Sequence, residues 1–204
     1  MKLYTMPNTC ALSAHIVIKW TGLDIDVDVM PTGASRQAAY LAVNPHGKVP
    51  ALCLDGGNVL TEAAAILPLL AELAPEAALG GRDRIERVRL SEALGFMIGE
   101  VHSDWTPHFA PSRFLSDEAD FPRLETATFE RLAPQYAFLE GEIGQGSWLL
   151  FGRRTIADAY LYMLARTADL MPDGLKPYPG LAAFRARLEA DAGVIAALAE
   201  QDLQ

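Results

Sequence analysis

The chain has 204 residues, half of them apolar, enough to build a substantial core in one large domain or two small ones, which excludes a disordered chain. A formal net charge of -9 excludes an electrostatic grip on nucleic-acid phosphate or an anionic membrane surface as the main mode of binding. Only Cys10 and Cys53 are present, with no long apolar signal region and no run of about 18 apolar residues, so the composition predicts a soluble cytoplasmic protein without a disulfide scaffold, a Cys-rich zinc site or a membrane span.

Lys2 to Thr5 reads as a short strand stopped by Pro7-Asn8, and residues from about Cys10 to Thr21 read as a helix ended by Gly22. That helix is apolar nearly all round, which predicts that it is covered on most sides. Asp26 to Met30 alternates polar and apolar residues as a half-buried strand does, and a loop from Pro31 to Ser35 leads into a weak helical stretch ending near Val43. Ala51–Leu54 and Val59–Thr61 flank Asp55-Gly56-Gly57-Asn58, the signature of a hairpin. A helix follows from Glu62 to about Leu73, with Pro68 inside it predicting a kink or a shortened helix, because proline cannot donate to the Ala64 carbonyl.

Pro75 and Gly80-Gly81 place a linker at about 77–82 between a mixed domain, 1–76, and an all-helical domain, 83–204. In the second, Ile85, Val88, Leu94 and Met97 mark one long helix and Phe129, Leu132, Tyr136 and Leu139 another. Thr155-Ile156-Ala157-Asp158 has the form of a capping box with Asp in the place of the usual Glu. The coarse plan is a small α/β domain followed by a helical one.

Three features carry chemistry. Asn44-Pro45-His46-Gly47-Lys48-Val49-Pro50-Ala51-Leu52 suggests an edge at which an extended peptide can pair, and Leu60-Thr61-Glu62 places a charge at a helix start. Cys10 lies between a strand and a helix N-terminus, where a thiolate is favoured. Together they outline a site for a small acidic thiol peptide, although a small buried hydrophobe is the plainer role for Cys10. Cys53, in an apolar strand, reads as structural.

This order of elements, with Cys10, the Asn44–Leu52 segment, Thr61-Glu62 and Thr155–Asp158, resembles the glutathione transferases, and among them the bacterial beta class, over essentially the whole chain. The resemblance implies a thioredoxin-like N-terminal domain (α/β), an all-α helical-bundle C-terminal domain, and a homodimer with a glutathione site in each subunit. It further implies that Cys10 lies at the glutathione sulfur and that Val49-Pro50 forms a cis-proline turn pairing with the cysteinyl unit. Glu62 would bind the γ-glutamyl ammonium, the N–H groups of Glu62 and Ala63 would face its carboxylate, and Arg36 or Lys48 would meet the glycyl carboxylate. In the helical domain His102 matches the histidine that approaches the sulfur, where it would donate a hydrogen bond to the thiolate or shuttle its proton. Trp105, His108, Phe109 and Phe114 fall where the second-substrate cleft would lie, and core or dimer packing accounts equally for the aromatic residues.

The chain departs from the beta-class pattern at Ala11, Ala63 and Ser103, each standing where a polar or charged side chain is usual, and at His108, where an apolar one is usual. Tyr4, a catalytic tyrosine by analogy with other classes, is set aside for Cys10. The activity the resemblance implies is addition of the glutathione thiolate to electrophilic small molecules, with glutathione as co-substrate and no metal, and thiol–disulfide exchange through Cys10 is its redox variant. Two other readings stay open: a non-catalytic binding or regulatory protein, and a specialised glutathione-dependent lyase or dehalogenase.

Overall fold

In a computed structural model of the chain, which describes residues 1–143 and 147–203, β1 (Lys2–Thr5) runs through the middle of a four-stranded sheet. The sheet order is β2 (Asp26–Val29), β1, β3 (Ala51–Cys53), β4 (Val59–Thr61). The first pair is parallel and the other two are antiparallel, with Leu3 opposite both Val27 and Leu52. Helix α1 (Ala11–Thr21) makes the crossover between the parallel strands, and Gly22, left-handed at φ 68°, ends it by donating to the Ile18 carbonyl.

The two faces of the sheet carry different cores. Leu3 and Leu52 join the main cluster with α1 and α3 (Ala63–Leu73), while Ala51 and the half-buried Tyr4 pack with Met30 and Tyr40 on the other face, beside the short α2 (Ala38–Leu41). Helix α3 runs unbroken through Pro68. The expected interruption is absent because Ile66, Leu67, Leu70 and Ala71 are buried, in a helix packed on α1, and Ala64, whose carbonyl loses its partner, is exposed to water. Burial of each large aliphatic side chain contributes about 2 kcal/mol, enough together to offset one proline.

The remainder is helical: α4 (Arg84–Phe96), α5 (Thr106–Phe109), α6 (Phe121–Ile143), α7 (Ile156–Thr167), α8 (Pro179–Glu189) and α9 (Ala192–Glu200). Between α4 and α5 the turn Met97–His102 is π-helical. Helix α7 is buried from Ile156 to Ala165 and packs against α1, α4 and α8. Its start is the expected capping box, in which Asp158 accepts from the Thr155 backbone N–H at 2.7 Å and from Leu149 N–H at 2.9 Å. Burial pushes the Asp158 carboxyl up to about 6, against the opposing pull of these bonds.

One helical stripe differs from the sequence expectation. Leu94 and Met97 are buried, but Ile85 and Val88 are 68% and 60% exposed, and the inward stripe of α4 and its π-helical continuation is Leu90, Leu94, Met97 and Val101. The stripe of α6 falls as expected, with Leu132, Tyr136 and Leu139 buried. No helix among the described residues is long and apolar enough to cross a membrane.

Candidate functional site

The segment before β3 is braced through one carbonyl. Tyr40 Oη and Asn44 Nδ2 both donate to Lys48 O, at 2.6 and 2.8 Å, and Asn44 Oδ1 accepts from His46 N–H. Gly47, at φ 60°, is required here, because a Cβ would meet Ser35 O at 3.0 Å and the guanidinium of Arg36 at 3.3 Å. This brace presents Val49, and the Val49-Pro50 peptide bond is cis.

The Cys10 thiol donates to the Val49 carbonyl at 3.6 Å, so two positions singled out in the sequence are in direct contact. Cys10 precedes α1 with helical backbone angles, and its own carbonyl accepts from Ser13 N–H and Ser13 Oγ. The helix N-terminus does not dominate the electrostatics of the resting thiol. Burial, reinforced by the negative field of Glu62, pushes Cys10 up to about 12, and the lowering from a backbone hydrogen bond and from Lys48 is smaller. The thiol is therefore protonated at neutral pH when no ligand is present.

Glu62 opens α3 at φ 70° and ψ 125°, a conformation that non-glycine residues rarely adopt and that costs on the order of 1–3 kcal/mol. Its carbonyl starts the helix by accepting from Ala65 and Ile66, while its side chain stays exposed. Ala63 is buried directly behind it. The first N–H groups of α3 thus lie next to Glu62 without intrahelical partners.

The helical domain contributes His102 and a residue that the sequence reading did not single out. His102 Nδ1 is hydrogen-bonded to the hydroxyl of Tyr160, which is 1% exposed on α7. Burial, helped by the charge of Lys48, lowers the His102 pKa, and burial, helped by the fields of Cys10 and Glu62, raises that of Tyr160. Those fields couple the pair to the N-terminal site. Tyr160 was readable only as one more large residue in a buried helix; its signal was a hydroxyl there, since a buried tyrosine usually finds a partner.

The aromatic group divides. Trp105 is 1% exposed, donates to Tyr136 Oη at 3.2 Å and belongs to the core, so it is not an open cleft wall. Phe109 and Phe114 are exposed, and His108 lies among Trp105, Phe109 and Phe129 with Nδ1 2.9 Å from Glu125 Oε1. Tyr4 packs edge-on against Tyr40. A cavity of about 640 Å³ between α4 and α6, walled by Phe96, Phe138 and Phe151, touches none of Cys10, Val49, Glu62 or His102.

Comparison with known proteins covers both domains. Residues 3–78 match the model of the glutathione S-transferase N-terminal domain and residues 103–201 that of the C-terminal domain. A glutathione S-transferase of Xanthomonas campestris is 33% identical over 204 residues, covering 100% of both chains. Among solved structures, a bacterial beta class glutathione S-transferase of Sphingomonas chungbukensis is 32% identical with a TM-score of 0.89, and a sphingomonad glutathione S-transferase complexed with glutathione is 31% identical with a TM-score of 0.89; each covers 100% of both chains.

Proposed function

The chain belongs to the glutathione S-transferase family and is a beta-class-like enzyme of it, and from that premise we infer that it binds glutathione against Val49 and directs the glutathione thiolate at an electrophilic small molecule. The observation that carries this reading is the meeting of the Cys10 thiol with the Val49 carbonyl, within the fields of Glu62 and Lys48. Residues 1–76 form the glutathione-binding domain and 83–204 supply the electrophile cleft.

Glutathione adds as a short strand beside Val49, whose carbonyl exchanges the weak thiol donor for a backbone N–H of the ligand. The carboxylate of Glu62 takes the γ-glutamyl ammonium, and the free N–H groups at the start of α3 take the adjacent carboxylate. Lys48 and Arg36 are the cations for the glycyl carboxylate. Phe109 and Phe114, exposed on the helical side, give an electrophile an apolar surface, with His108 as its polar point.

The nucleophile is the glutathione sulfur. Cys10, protonated at rest, acts first as a neighbour of that sulfur and becomes a nucleophile only after losing its proton. In that second role it attacks oxidised glutathione, forming a protein–glutathione disulfide and releasing one glutathione thiolate. Exposed Ile85 and Val88 on α4, with Leu73 on α3 and Val59 on β4, offer apolar surface for a homodimer, checked by a light-scattering mass of twice 22.1 kDa.

The deciding experiment is glutathione-binding calorimetry of the reduced protein, with intact mass after incubation with oxidised glutathione, for wild type and Cys10→Ala. Binding by both proteins with an adduct on wild type alone is expected. Absence of both binding and adduct would move the reading to a non-catalytic protein on this fold, and binding without turnover of generic electrophiles to a specialised lyase or dehalogenase.

A further inference from the structure

We propose that Tyr160 is a positioning residue that fixes the proton of His102 on Nε2, so that this imidazole meets the glutathione sulfur as a hydrogen-bond donor and not as a proton acceptor. The clause about sulfur rests on the reading above; the tautomer does not.

Among the described residues the Tyr160 hydroxyl has one hydrogen-bond partner, His102 Nδ1, and its ring is shut off from solvent. If Nδ1 carried the proton, Tyr160 would accept it and leave its own O–H buried without an acceptor, an arrangement that folded proteins avoid. If the hydroxyl donates, both atoms are satisfied. A neutral imidazole accepting at Nδ1 must carry its hydrogen at Nε2, and a doubly protonated ring would again orphan the Tyr160 proton.

The charged groups facing the pair favour the same assignment. Lys48, on the loop before β3, adds to burial in keeping His102 neutral, and Cys10 and Glu62, at the starts of α1 and α3, add to burial in keeping Tyr160 protonated. The lone pair that His102 would need as a base is the one already engaged by Tyr160. The proton lost when glutathione ionises therefore goes to solvent, and His102 lowers the thiol pKa by donating to the thiolate.

The first test is the ring-nitrogen NMR spectrum of uniformly 15N-labelled unliganded protein at neutral pH. It contains four histidines, and His102 is assigned by comparison with His102→Asn. The expected result is the Nε2–H tautomer in wild type and a mixture containing Nδ1–H in Tyr160→Phe. An Nδ1–H or cationic His102 in wild type, or an unchanged spectrum in Tyr160→Phe, would overturn the proposal. If Tyr160→Phe does not fold, the wild-type spectrum decides alone.

The second test is kinetic. Tyr160→Phe is expected to raise the acid-side pKa of kcat/KM by about one unit, lowering kcat/KM about tenfold on that limb, with glutathione affinity changed less than about twofold. In a His102→Asn background the same substitution is expected to do nothing further, whereas a merely structural role would persist there. Failure of wild type to bind glutathione would remove the sulfur clause and the function reading together, and the ligand-free spectrum would still judge the tautomer.

Discussion

Helix α1 is held by the helical domain at two places, and they treat charge in opposite ways. Along its length against α9 the polar groups are paired: His15 Nε2 meets Glu200 at 2.9 Å, Lys19 meets the other Glu200 oxygen at 2.6 Å, and His15 Nδ1 meets Gln201 at 2.9 Å. Asp191 accepts from Trp20 Nε1 at 2.7 Å and from Arg154, and also caps α9 through Gly193 and Val194. At the Cys10 end, by contrast, Lys48 and Glu62 form no ion pair among the described residues, and only their fields reach Cys10, His102 and Tyr160. The paired seam fastens the domains; the unpaired one leaves charges available to a ligand.

The contrast breaks first, and most strongly, at Asp191. Asp191→Ala removes a helix cap and strands Trp20 Nε1 and Arg154, for an expected loss of about 3 kcal/mol in urea unfolding, with glutathione affinity of the folded protein unchanged. Next, Glu62→Gln is expected to leave the urea midpoint in place while calorimetry shows glutathione binding weaker by about 2 kcal/mol, the worth of one charged hydrogen bond. A loss of stability there, or no loss of affinity, would erase the distinction.

Acid sharpens it further. Burial lowers the pKa of His15, with Glu200 opposing, so the unfolded chain binds this proton first. The stability from neutral His15 is present above the unfolded value near 6.5 and is lost as pH falls toward the lower folded value, by up to about 1.4 kcal/mol per pH unit. Asp158, raised to about 6, gives the opposite slope between its ordinary range and 6, so the His15 contribution is isolated by the difference between wild type and His15→Gln urea midpoints across pH 7.5 to 5.5. The smallest expected effect is at Lys48→Met, which removes a lowering influence on Cys10 and should slow its alkylation by iodoacetamide about two- to threefold at fixed pH, read peptide by peptide to separate Cys53.

Local signals made much of this legible in the chain. The hairpin around Asp55–Asn58, the stop at Gly22 and the box at Thr155–Asp158 are set by residues within a few positions of one another, and the structure has all three. Cys10, Val49 and Glu62 were legible because the segments carrying them have recognisable chemistry. Tyr160 was not, since its role depends on a histidine 58 positions away, and the His15–Glu200 pair spans 185. Ile85 and Val88 misled for a different reason: spacing reports which residues share a helix face, and says nothing of whether that face meets the chain's own core or something outside it.

His102 owes its place to the π-helical turn that ends on it. In an α-helix each residue advances the side-chain direction by about 100°, and a π turn takes up one residue more than an α turn before the chain resumes its path. Deleting a single residue between Met97 and Val101 would restore plain α geometry and leave His102 and everything after it in place, whereas straightening the turn into α geometry at its present length would rotate everything that follows and carry the imidazole away from the site. The turn therefore works as a reading-frame offset written in backbone: it absorbs one residue of length, and the chemistry presented beyond it depends on the turn keeping that extra residue out of the α register.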